Sequence, residues 1–173
     1  MIIEKLNQLE QESMVRKIPI IGSSKGTWLY NKVVKTKPKK ILELGTANGY
    51  SGIILGSQGA KLITIEQNPE MAKEAQENFK KFKIDAEILI GDGVEIIKSL
   101  TNKFDLIFID FSKSNYIQIL KQCIKLTNKN GLIIADNITM QNCQDYKQAV
   151  LNHKLLQTEI INIKDGLSCS IKR

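Results

Sequence analysis

Four side chains in this sequence of 173 residues combine type and spacing in a way that suits chemistry: Asp110, Lys113, Asp136 and Asn137. Asp110 closes the run DLIFI, with Lys113 three residues further on, and Asp136-Asn137 closes the run LIIA. If both runs are neighbouring strands, ~4.8 Å apart, Asp110, Asp136 and Asn137 can converge on one ion. Two carboxylates and an amide are all oxygen donors, which suit a hard cation such as Mg²⁺ that retains waters for a substrate to displace. The plainer alternative is that Asp110 caps a helix starting near Ser112 and that Asp136-Asn137 merely turns the chain.

A second group lies earlier, in the turn ELGTANGYS over residues 43–51. Gly45 and Gly49 let the backbone turn sharply and come close to a ligand, while the amides that open the next helix face it. Alone, a glycine-rich turn is equally a tight turn, and ExGxxxG is not the GxGxxG of dinucleotide binders. Glu66, at the end of the next strand, can accept both hydroxyls of a ribose. Asp92-Gly93, after the third strand, suits an adenine edge. Three such groups at consecutive strand ends point to an adenosine-containing cofactor.

These residues need a scaffold that brings strand ends together, and the periodicity supplies one. Ile2, Leu6 and Leu9 repeat at helical spacing, and a second helix is expected from near Ser24, burying Trp28, Leu29 and Val33 and stopping before Pro38. Strands are expected at 41–44, 62–66, 86–90, 105–110 and 132–136, alternating with helices from Tyr50, Pro69, Gly93, Ser114 and around Gln144 to Leu151. Runs apolar on both faces, such as LIFI and LIIA, indicate a parallel sheet covered on both sides. Two last strands, 156–163 and 167–171, flank Lys164-Asp165-Gly166 and should form an antiparallel hairpin. The expected fold is α/β: one doubly wound domain over residues 1–173, with a mostly parallel seven-stranded sheet, a helical N-terminal cap (1–37) and a core (38–173). Cys123 and Cys169 fall on apolar stripes and read as core.

At this point the sequence resembles a known family. ILELGTANGYSGIIL (41–55), ITIEQNPEMAKEAQENF (63–79), GDGVEII (91–97), FDLIFIDFSKSNY (104–116), GLIIADNI (131–138) and KDGLSCSIK (164–172) are similar to the metal-dependent class I S-adenosylmethionine O-methyltransferases. These are the catechol and caffeoyl-coenzyme A O-methyltransferase group with their bacterial and archaeal relatives. The resemblance implies a Rossmann-like fold and S-adenosylmethionine as cofactor, with Glu43 and Gly45 against its methionine part and Ser51 beside its carboxylate. Glu66 would bind the ribose, and Asp92 with Gly93 the adenine. Thr46, Ala47, Gly49, Tyr50, Gln67 and Asp110 complete the implied cofactor contacts. Asp110, Asp136 and Asn137 would be the metal ligands, and Lys113 the general base beside the acceptor hydroxyl.

An ordinary lysine, of pKa ~10.4, is almost entirely charged at neutral pH. A bound cation lowers the hydroxyl pKa directly, so Lys113 has only to accept the proton locally. The implied reaction is methyl transfer to a hydroxyl of a small aromatic acceptor, catechol-like or hydroxycinnamoyl-like. Departures bear on that acceptor. Only about a dozen residues, from Ile138 to Lys147 and slightly beyond, follow Asn137 before the next helix, where relatives carry a longer loop, and Phe111-Ser112 replaces small and acidic residues.

Composition narrows the remaining classes. No apolar run approaches the ~18–20 residues of a membrane span, and the N-terminus has no cationic start followed by an apolar stretch, so a cytoplasmic protein without membrane contact is expected. Three cysteines without CxxC spacing and a single histidine, His153, argue against a disulfide framework, a zinc site or a histidine relay. The formal charge of +7 admits RNA as a secondary partner, and a transfer-RNA hydroxyuridine acceptor is the alternative substrate. The densest lysines, at 35, 37, 39, 40 and at 80, 81, 83, precede strands and should face away from the chemistry. A nicotinamide oxidoreductase is disfavoured by the glycine spacing and the missing Tyr-x-x-x-Lys pair. A non-catalytic nucleotide-binding module stays open, and the family suggests a homodimer.

Overall fold

A computed structural model describes all residues from 1 to 173. Strands β1 (Lys40–Leu44), β2 (Lys61–Glu66), β3 (Ala86–Ile90), β4 (Phe104–Ile109), β5 (Thr127–Asp136), β6 (Leu156–Ile161) and β7 (Leu167–Lys172) form one sheet in the order β3-β2-β1-β4-β5-β7-β6. The first five are mutually parallel, and β7 runs antiparallel to both β5 and β6. Helices are α1 (Ile2–Lys5), α2 (Asn7–Val15), α3 (Gly22–Thr36), α4 (Tyr50–Gly56), α5 (Pro69–Phe82), α6 (Gly93–Ser99), α7 (Tyr116–Leu126) and α8 (Gln144–Asn152).

The strand runs are apolar on both faces because both faces are covered. One core takes Ile41, Leu62, Leu106, Phe108 and Ile134 with Leu29, Ile53 and Phe79 from α3, α4 and α5. The other takes Leu42, Leu44, Ile107, Ile109 and Ile133 with Ile97, Ile119 and Val150 from α6, α7 and α8. Local signals agree with this packing. Asn68 caps α5 by accepting from the amides of Glu70 and Met71 at 2.9 and 3.4 Å, with Pro69 at the first helical position. Cys123, Cys143 and Cys169 are free and buried.

Among the differences from the sequence reading, three bear on the site and its frame. Helix α3 begins at Gly22 rather than Ser24, and its buried stripe is Lys25, Leu29 and Val33, while Trp28 is half-buried with the Lys32 ammonium 5.0 Å from its ring centre. Strand β5 begins at Thr127, and the β4–β5 register shifts between Phe104 and Leu106 to pair that extra segment. The final hairpin closes through five residues, 162–166, after Ile161 rather than at a tight turn, because Ile161 pairs with Leu167.

Strand order reverses between β1 and β4, which pair in parallel through Leu44 and Ile109. Just past that pair Gly45 takes φ +99°, and a Cβ there would lie 2.0 Å from the Asp110 carbonyl oxygen. Only glycine satisfies both the left-handed backbone and the contact. Gly45→Ala is therefore expected to lower the unfolding free energy by about 2–4 kcal/mol, measured by urea titration.

Candidate active site

A cavity of about 490 Å³ opens over the carboxyl ends of β1, β2, β3 and β4, at the point of strand reversal. In a doubly wound sheet this is where ligands bind, because helices leaving opposite faces open a crevice. From the glycine turn come Gly45, Thr46, Ala47, Tyr50 and Ser51; from the end of β2 come Ile65, Glu66 and Gln67. Gly91, Asp92 and Gly93 follow β3, and Asp110, Phe111, Ser112 and Lys113 follow β4.

Each acid has a local role that shapes the cavity. Glu66 accepts from the backbone amides of Ala47 at 2.8 Å and Asn68 at 2.9 Å, so it bridges the glycine turn to the start of α5. Ala47 sits at φ +45°, a left-handed conformation that this amide contact supports. Asp92 caps α6 through one oxygen, accepting from Val94 and Glu95 amides at 2.7 and 3.2 Å. Phe111 lies beside Gly93 and stacks on Tyr116 with centroids 5.7 Å apart.

Glu43 and Gly49 lie outside the cavity wall. Gly49 (φ +91°) packs against Phe79 of α5, where a Cβ would come within 3.0 Å of the ring. Glu43 is fully buried behind the wall and accepts from Ser51 Oγ at 2.6 Å and Thr64 Oγ1 at 2.7 Å; Thr64 in turn contacts Thr46 Oγ1 at 2.5 Å. It thus reaches the cavity only through Ser51 and Thr46. Burial pushes its carboxyl up to about 8, against those two hydrogen bonds and with help from the charges of Asp110 and Glu66.

At the other end, Asp110 and Asp136 lie one residue beyond the paired Ile109 and Ala135 of β4 and β5. Lys113 Nζ donates to Asp110 Oδ1 at 2.7 Å, so Asp110 is held by that ion pair and does not cap a helix; the 3₁₀ turn at Lys113–Asn115 has no side-chain cap. Asp136 and Asn137 lie beyond the cavity wall. Asp136 is buried and accepts from Lys25 Nζ and from the Asn137 amide at 2.7 Å. Burial first, and the facing charge of Asp110 second, raise Asp136 to about 6 despite Lys25. Asn137 takes φ +57°, and its Nδ2 donates to Asp165 Oδ2.

Lys25 and Asp165 are partners that the sequence reading left out. Lys25 Nζ donates to both Asp136 and Asp165. Its i, i+4 spacing with Leu29 and Val33 put it on the buried stripe of α3, which was the available signal. Asp165 had read only as a turn residue. The N-terminal segment is likewise part of the site: Lys17, Ile18, Pro19 and Ile20 line the cavity. Glu10 of α2 holds this segment down by accepting from Tyr50 Oη at 3.0 Å and the Ser23 amide at 2.9 Å.

Fold and site together define a class I methyltransferase architecture with a nucleoside-sized cavity. The sequence pattern of the O-methyltransferase family matches residues 1–168, and the chain belongs to that family. It is 32% identical over 127 residues to a catechol O-methyltransferase of Niastella koreensis, a match covering 68% of this chain and 58% of that relative. The chain thus spans less than two thirds of the relative's length. It superposes with a TM-score of 0.87 on a Staphylococcus aureus protein provisionally described as a caffeoyl-CoA O-methyltransferase, at 26% identity and covering 99% of this chain and 92% of that one. An O-methyltransferase of Bacillus cereus in complex with S-adenosylhomocysteine gives the same score at 20% identity, covering 99% and 90%.

The raised Glu43 carboxyl has a sign that can be measured. Folded protein keeps a proton that the unfolded chain loses above its ordinary carboxylate pKa, so the stability contribution is complete below about pH 4.5 and is lost as pH rises through about 8. The melting temperature of cofactor-free protein should therefore fall between pH 5 and pH 8. Glu43→Gln, which cannot ionise and keeps one oxygen to accept while its amide donates to the other hydroxyl, should reduce that slope.

Proposed function

We propose that this chain is an S-adenosylmethionine-dependent O-methyltransferase that methylates a hydroxyl of a small aromatic acceptor bearing neighbouring oxygens. The observation that carries the proposal is one continuous cavity with nucleoside-type contacts at one end and the Asp110–Lys113 pair, bonded at 2.7 Å, at the other. Family membership and the catechol O-methyltransferase of Niastella koreensis support the same reading.

Glu66 is suited to the ribose, since it lines the cavity at the end of β2 with its carboxylate fixed by the Ala47 and Asn68 amides, and Asp92 has its second oxygen free of the α6 cap for the adenine end. Phe111 offers an aromatic face beside Gly93, and Ser51, braced by Glu43, faces the methionine end. S-adenosylmethionine supplies a methyl group already activated on a sulfonium. What remains for the protein is alignment of acceptor oxygen, methyl carbon and sulfur, which is mainly a proximity effect.

The donor set fits a hard divalent cation, because the fold leaves one oxygen of each group free.

 No hydrogen bond within the protein uses Asp110 Oδ2, Asp136 Oδ2 or Asn137 Oδ1, although the other atoms of all three groups are engaged. Two carboxylates and an amide suit Mg²⁺ better than a soft metal. Asp110, Asp136 and Asn137 would hold the cation, which when bound supplies Lewis acidity that lowers the acceptor hydroxyl pKa. Lys113, at the cavity edge, would accept the hydroxyl proton as its neutral amine and become the ammonium, and Asp110 holds its Nζ in place there.

The acceptor end is open. Helix α8 begins at Gln144, so the connection after Asn137 is only residues 138–143, shorter than the sequence reading allowed, and Met140 on it is exposed. Lys35, Lys37, Lys39, Lys40, Lys80, Lys81 and Lys83 are exposed around the amino ends of β1 and β3, at the edge of the sheet opposite the cavity. That placement favours a small acceptor over RNA. No helix is long and apolar enough to cross a membrane.

Transfer of labelled methyl from S-adenosylmethionine to a panel of catechols and hydroxycinnamoyl esters tests the proposal. Lys113→Met and Asp136→Asn are each expected to lower kcat/KM by about 10²-fold or more, and a chelator should abolish transfer until Mg²⁺ is restored. Undiminished transfer by Asp136→Asn in the presence of chelator would overturn the cation-assisted reading.

A further inference from the structure

Lys25 is the one lysine in the buried interior, 2% exposed, and its ammonium is held by two carboxylates. A cation removed from water is tolerated only where paired and hydrogen-bonded. Here it donates to Asp136 at the end of β5 and to Asp165 in the β6–β7 connection, while Asn137 closes the ring by donating to Asp165 through its side chain and to Asp136 through its amide. Lys25 does not line the cavity, so it touches neither the cofactor space nor the position of Lys113.

The charges are distributed asymmetrically. Asp110, Asp136 and Asp165 carry −3, and Lys25 and Lys113 carry +2, which leaves −1 for the five groups together. A divalent cation on the free oxygens of Asp110, Asp136 and Asn137 would make the cluster +1, with the Lys25 ammonium fixed on the other oxygen of one of its own ligands. Like charges facing each other inside a protein are poorly screened.

We propose that Lys25 is a resident counter-cation of Asp136: it keeps Asp136 and Asp165 ordered without a metal ion and weakens the hold of the site on a divalent cation. The inference rests on the cation reading above and concerns a positioning residue, since Lys25 acts through Asp136. Charge, and not the mere presence of a strut, carries the effect. An uncharged side chain that keeps the hydrogen bonds should therefore strengthen cation binding, and arginine should not.

Mn²⁺ titration followed by electron paramagnetic resonance, on the full chain without cofactor, separates the outcomes. Lys25→Gln is expected to bind Mn²⁺ at least tenfold more tightly than the unaltered protein, Lys25→Arg within about twofold of it, and Asp136→Asn at least tenfold more weakly. Binding detectable only in Lys25→Gln supports the proposal as well. Affinity in Lys25→Gln equal to or weaker than that of the unaltered protein, with Asp136→Asn still losing binding, overturns the role of Lys25 and leaves the cation reading intact. Absence of Mn²⁺ binding in every form overturns both. If Lys25→Gln is unfolded without metal, the readout becomes the Mn²⁺ concentration that restores its circular dichroism, and failure to restore it counts against the proposal.

Discussion

The approach of the Gly45 backbone to the Asp110 carbonyl, where a Cβ would lie at 2.0 Å, is the constraint on which the site depends. It joins the ends of β1 and β4, the two strands between which the order of the sheet reverses. Helix α4, after β1, packs into one core and helix α7, after β4, into the other, so the chain leaves in opposite directions and a crevice opens between. The same contact fixes how far the glycine turn stands from Asp110 and Lys113. The two ends of the cavity are thereby held in one rigid frame.

Around that frame, charge is stored in unequal states. Glu43 is kept from ionising by burial, and serves as a brace for Ser51 and, through Thr64, for Thr46. Asp136 is raised less, because the Lys25 ammonium opposes burial and the repulsion of Asp110. Lys25 itself loses hydration on burial, and its two carboxylate partners more than offset that loss, raising its pKa. Asp165 is held low by Lys25 and Asn137 in spite of its own desolvation. Two buried carboxylates in one small domain thus differ in behaviour according to whether a cation or only hydroxyl groups stand beside them.

The N-terminal helices take part in the site rather than merely extending the chain. Glu10 ties α2 to Tyr50 of α4 and to the start of α3, and Asn48 Nδ2 reaches Ser13 Oγ at 2.7 Å. Between these anchors Lys17 to Ile20 lies along the cavity, and Lys25 connects the next helix to the opposite end of the site. One segment therefore runs along the crevice, while the connection from Asn137 to α8 is short and leaves Met140 exposed.

Much of this was legible in the residues. Apolar runs on both faces of the strands required a covered parallel sheet, Asn68-Pro69 marked a helix start, and the acids at strand ends located the crevice, because these signals are local and repeat at fixed periods. What local signals do not contain is which distant charges meet. Lys25 stood in the sequence as one lysine among many and Asp165 as a turn residue, 140 positions apart, and only the packing of α3 against β5 and the final hairpin makes them partners. Likewise the turn glycines were readable as permissive backbone, but that Gly45 is required by the Asp110 carbonyl and Gly49 by the Phe79 ring was decided by strand order and helix packing. Residue type and period determined the elements and the kind of chemistry available; tertiary structure decided the electrostatic partners, since burial and long-range pairing exist only once the chain has closed on itself.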